Sequence, residues 1–132
     1  MDILLNSLNT AIFTLICAGA AMHRRRDLHV KIMMIAFALD IGLLLAVEFS
    51  NAAIAAALRT VSDSSSDARI LTWVHVTFAV GGLVMWFAQI VVGRKILKQG
   101  RTELLPKHVL NARIFLVLRL GNVVTAWMIF AA

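Results

Sequence analysis

Asp40 and Arg119 are single charges set deep inside long apolar runs, where an unpaired ion is expensive. Asp40 stands eleven residues beyond His29, and Arg119 stands eleven beyond His108. On helices rising 1.5 Å per residue, both are therefore about 16 Å in from the same edge. Equal depth predicts an Asp40–Arg119 ion pair inside the molecule, with Asn122 one turn further along. Such a pair either keeps two helices in register or forms the charged wall of a cavity.

A second set lies further out. Glu48 is nineteen residues beyond His29, and His75 is nineteen before Arg94. Both fall about 28 Å from the same edge. An imidazole beside a carboxylate can hold a proton or present an oriented nitrogen to a metal. Asn51 follows Glu48 by about one turn, so His75, Glu48 and Asn51 form a candidate outer metal site. The simpler reading is a hydrogen bond between two helices.

The other three histidines, His23, His29 and His108, sit at the opposite end. His29 and Met33 are four residues apart on one helical face, and an imidazole with a soft thioether suits Cu(I) or a haem iron. Should His29 and His108 face each other across the molecule, they would make an axial pair for haem b, with Arg113 near a propionate. Haem b and copper are thus the candidate cofactors, and His29, His108, Met33 and Arg113 the candidate ligands. Methionine also fills apolar cores with no metal involved, and the six in this chain are consistent with that use.

The elements that must position these residues follow from the composition. The chain of 132 residues is 61% hydrophobic and 15% charged, whereas a soluble domain averages roughly 45–50% apolar and 25% charged. Four apolar stretches, about 3–22, 30–58, 70–93 and 109–132, are each long enough to cross about 30 Å of hydrocarbon. Their apolar residues run continuously rather than alternating at period two, which excludes the strands of a barrel. The expected fold is an all-α integral membrane bundle of four helices, up-down-up-down, forming a single domain over residues 1–132.

Charge sets the orientation. Arg24, Arg25, Arg26 and Lys31 cluster between the first two stretches, and Arg94, Lys95, Lys98, Arg101, Lys107 and Arg113 between the last two. The other side carries only Arg59 and Arg69, around the Ser-rich turn at residues 62–67. The positive-inside rule then puts both termini and the Ser-rich turn outside and the basic ends in the cytoplasm. The net charge of +6 needs no nucleic-acid partner, because topology and anionic lipid headgroups account for it. The first stretch begins Met1-Asp2 with no basic residue before its apolar run, so it reads as a helix rather than a signal peptide. Cys17 is the single cysteine, which excludes an internal disulfide. No nucleophile constellation, phosphate loop or zinc-hydrolase motif is present, so the residues favour a binding or assembly role over an enzyme's. Gly81-Gly82 suits close helix packing or a planar ligand.

Several short motifs together resemble the small bacterial four-helix membrane family described as domain of unknown function 420, which includes the CtaM-like proteins of cytochrome c oxidase maturation. The matching residues are Leu8-Asn9, His29-Val30-Lys31-Ile32-Met33, His75, His108-Val109-Leu110-Asn111-Ala112-Arg113 and Thr125. The chain departs from that pattern at Asn51, where the family tends to have histidine, at Asp40, where it has serine, and at Arg119, where it has an aromatic residue. The resemblance implies a membrane assembly or accessory protein for a haem–copper respiratory oxidase that handles haem or copper and works with other membrane subunits. Two further readings rest on the residues alone. One is a small b-type haem-binding subunit for electron transfer, and the other is a cofactor-free structural subunit whose polar groups register helices.

Overall fold

The computed structural model describes residues 3–49 and 66–131 and consists there of helices. They are α1 (Ile3–Ala21), α2 (Arg26–Phe49), α3 (Ser66–Gln99) and α4 (Leu105–Ala131), with a single 3-10 turn, Thr102–Leu104, before α4. All four are long and apolar enough to cross a membrane. The chain is a multi-pass helical membrane protein.

The distribution of side chains is inverted relative to a water-soluble bundle. Asn6, Asn9, Gln89, Arg119, Asn122 and Thr125 are buried, while Leu4, Trp73 and Val117 are among many large apolar residues left exposed. In hydrocarbon an outward apolar side chain costs nothing and an outward polar one is costly, so polar groups turn inward. The buried positions on α1, Asn6, Asn9, Ile12, Ile16 and Gly19, recur every three or four residues and mark one face. On α4, Phe115, Arg119, Asn122 and Ala126 do the same.

Each helix contributes to the core, which joins Ile12 and Ile16 of α1 with Ala36 of α2, Trp86 of α3 and Phe115 of α4. Trp86 stacks at a tilt on Phe115 with ring centroids 4.5 Å apart, and Phe37 meets Trp86 edge-on at 5.6 Å. The backbones approach closely between α3 and α4, between α1 and α2, and between α1 and α4. Among the described residues α2 reaches α3 and α4 instead through side chains, those of His29, Phe37 and Asp40. Glycines permit the close approaches. A Cβ at Gly19 would lie 2.8 Å from Met33 Sδ and 2.9 Å from Ile32 Cγ2, and one at Gly121 would lie 2.8 Å from the Phe78 ring.

Helix ends depart from the apolar stretches in an informative way. α2 begins at Arg26 and α3 continues to Gln99, so Arg94, Lys95 and Lys98 lie on the last turns of α3 rather than in a loop. At about 1.5 Å per residue, the 34 residues of α3 reach about 51 Å, well past a hydrocarbon core of about 30 Å. Its basic end therefore projects into the polar zone, where long cationic side chains are solvated. α3 stops at Gly100, whose φ of +65° is the left-handed conformation that ends many helices, and Arg101 N–H reaches back to the Lys95 carbonyl at 3.5 Å. At the α1–α2 turn, the His23 ring nitrogen donates to the Ala20 carbonyl at 3.2 Å. The part of the second apolar stretch beyond Phe49, Arg59 and most of the Ser-rich turn lie outside the described residues.

Candidate functional site

Asp40 and Arg119 meet. Arg119 Nη2 donates to Asp40 Oδ1 at 2.6 Å, and Nη1 of the same guanidinium donates to Asn122 Oδ1 at 2.5 Å. The two charged side chains are 18% and 6% exposed, so the pair is largely withdrawn from surroundings. Trp86 Nε1 completes the cluster by donating to Asp40 Oδ2 at 2.9 Å. Three helices thus converge on one carboxylate. Arg119 Nε is buried with no partner among the described residues. The indole contribution went unread in the sequence, where Trp86 looks like any apolar core or interfacial residue.

Beside this cluster is a cavity of about 140 Å³ bounded by Asn9 of α1, Asp40 and Leu43 of α2, His75, Phe78 and Gly82 of α3, and Arg119 and Asn122 of α4. His75 is held by α4, with its Nδ1 2.9 Å from Thr125 Oγ1. The Thr125 hydroxyl donates its own hydrogen to the Gly121 carbonyl at 2.7 Å, so it accepts from the imidazole. His75 Nδ1 therefore carries hydrogen, and Nε2 of the neutral ring is an acceptor. Of the outer set, Asn51 and the Glu48 side chain lie outside the described residues, and among those described His75 meets Thr125 and the Asn122 backbone. Thr125 carried no signal beyond its place in the resemblance.

At the basic end, His29 of α2 and His108 of α4 come together with ring centroids 6.5 Å apart and planes at 85°. His29 Nδ1 donates to the Gly19 carbonyl at 2.7 Å, which fixes the ring and leaves Nε2 free. His108 Nδ1 is buried with no partner among the described residues. Met33 touches the same turn of α1, since its sulfur lies against Gly19. Arg113 is exposed on α4, and His23 remains on the α1–α2 turn. Among the described residues no three His, Cys, Asp or Glu side chains gather as a metal cage. A metal at this end would rest on the two imidazoles, with Met33 one helical turn along α2 from His29.

Gly81 and Gly82 do not act as a pair. Gly81 faces Leu118, with 3.4 Å from a built Cβ to the nearest atom, whereas a Cβ at Gly82 would meet nothing within 4 Å. Gly82 is nonetheless buried, because it faces the cavity. Cys17 is exposed on α1. Compared with family models, curated proteins and solved structures, the chain matches none.

Proposed function

We propose that this protein is a membrane accessory factor for assembly of a haem–copper respiratory oxidase, holding a soft metal ion between His29 and His108. The observation that carries the metal reading is the meeting of these two rings from α2 and α4, 6.5 Å apart. Metal–imidazole bonds of about 2.0 Å to each ring span such a separation with one ion between them. The bond from His29 to the Gly19 carbonyl is the kind of outer contact that orients a ligating imidazole. Two imidazoles with a thioether and no carboxylate suit copper(I). The oxidase as the setting rests on the family resemblance.

The residues fit a single ion better than a porphyrin. A haem needs a slot between helices, and the small residue opposite His29, Gly19, is already covered by Met33 and Ile32. Bound copper would supply soft-ligand exchange, and this chain's part is to hold the ion at the membrane edge. In this reading the molecule sits in a bacterial cytoplasmic membrane in an up-down-up-down arrangement. Both termini are outside, the basic ends face the cytoplasm, and other membrane subunits are its partners.

The test is copper(I) titration of the full chain in mild detergent against a chromogenic chelator, with visible spectra of the same sample. One tightly held equivalent, weakened tenfold or more by His29→Ala and by His108→Ala, is expected. No retained copper in the unmodified protein sinks the metal reading, and sharp reduced-minus-oxidised haem bands would replace it with the b-type subunit. A deletion strain with a fully assembled, active oxidase sinks the assembly reading.

A further inference from the structure

We propose that the cavity beside Asp40 and Arg119 binds the ring of a lipid-soluble quinone or quinol that enters from the bilayer. It is separate from the histidine pair and independent of any metal there. Its volume, about 140 Å³, is near the roughly 150 Å³ that accommodates a benzene ring in a protein interior. Gly82 keeps one wall open, since it is buried and a side chain there would touch nothing within 4 Å.

The polar groups in that wall are complementary to a ring bearing oxygen substituents. His75 Nε2 is left as an acceptor by the bond from Nδ1 to Thr125, so it suits a quinol hydroxyl. Asn9 lines the cavity at 7% exposure, and its side-chain amide makes no hydrogen bond among the described residues, so its N–H groups suit a quinone carbonyl. The Asn122 amide lines the same wall, with its oxygen occupied by Arg119 and its nitrogen left to donate. The rest of the lining, including Leu43, Phe78 and Leu83, is apolar.

Entry is from the lipid side. The chamber runs from Asp40, about 16 Å along α2 from the basic edge, to His75, about 28 Å from that edge. Among the described residues α2 and α3 meet chiefly through side chains, and the isoprenoid tail is placed at that seam, beside the chamber. A mostly apolar chamber with a few convergent donors and acceptors is the usual form of a small-molecule site.

Trp86 is the reporter, because its indole is bonded to Asp40 in the cavity wall. With Trp73 and Trp127 replaced by Phe, the detergent-solubilised full chain is titrated with a benzoquinone carrying a short alkyl tail, and Trp86 fluorescence is followed. Saturable quenching is expected, with its midpoint raised at least tenfold by Gly82→Leu, which fills the chamber, and several-fold by Asn9→Ala. Both variants are first checked for unchanged helical content. Quenching that never saturates, or a midpoint untouched by either variant, overturns the proposal. So does equal displacement by the alkyl tail alone, which would make the seam a site for acyl chains, and if Gly82→Leu fails to fold, Asn9→Ala decides.

Discussion

The Arg119 guanidinium and the Asp40 carboxylate are 79 residues apart in sequence and meet at 2.6 Å, while Trp86 holds the second carboxylate oxygen at 2.9 Å. A buried ion pair is weak evidence of net stability, because desolvating both charges offsets most of their attraction. Breaking one side is a different matter. Asp40→Ala leaves Arg119 charged and buried and removes the acceptor for the Trp86 indole. It should destabilise the folded state by about 3–5 kcal/mol in detergent unfolding. The double change Asp40→Leu with Arg119→Leu should recover most of that loss. If Asp40→Ala unfolds like the unmodified chain, the pair does not hold the helices.

Gly121 tests the packing of α3 on α4. An added Cβ there falls 2.8–2.9 Å from three atoms of the Phe78 ring. Gly121→Ala should therefore cost about 1–3 kcal/mol, as overpacking does. Phe78→Ala should remove most of the penalty, so the double-mutant cycle would give a coupling of at least about 0.5 kcal/mol. Additive single changes in that cycle would mean that the ring and the glycine do not meet.

How much of this was legible in the sequence divides along one physical line. Depth is a one-dimensional quantity, so counting residues from His29 and His108 places Asp40 and Arg119 at the same level without any structure. Facing is rotational, and a helix that is apolar nearly all round carries little information about which side turns inward. Hence the bond from Trp86 to Asp40, the burial of Asn6 and Gln89, and the engagement of His75 with Thr125 were not readable. The glycines show the same limit. Gly81-Gly82 draws the eye as a pair, yet the tight contacts are at Gly19 and Gly121. Apolar runs also hide helix ends, because the basic last turns of α3 look like a loop until their backbone is seen.

Thr125 carries a hydrogen bond that its shape alone cannot replace. Thr125→Val nearly conserves volume but removes the side-chain acceptor for His75 Nδ1–H, leaving the ring only the Asn122 backbone in the membrane interior. The loss should be about 1–3 kcal/mol of stability. Thr125→Ser, which keeps the oxygen, should stay near the unmodified value. Equal behaviour of the Val and Ser variants would show that the imidazole has another partner.

Orientation in the membrane follows from where the cations are, and it can be checked without any cofactor. The α1–α2 turn, the α3–α4 connection and the helix ends beside them carry Arg24, Arg25, Arg26, Lys98, Arg101 and Lys107, whereas in sequence only Arg59 and Arg69 flank the Ser-rich segment between α2 and α3. Translocating the first two groups would cost far more than translocating the last, so the basic ends should stay in the cytoplasm. Cys17 is removed first as Cys17→Ala, a surface change expected to be within about 0.5 kcal/mol of neutral. Single cysteines at His23, Ser64 and Gln99 are then exposed in intact cells to a maleimide that cannot cross the membrane. Ser64→Cys should label from outside, while His23→Cys and Gln99→Cys should label only after permeabilisation. The reverse pattern would place the His29–His108 pair on the outer face, where a copper ion would have to be received from the periplasmic side rather than from the cytoplasm.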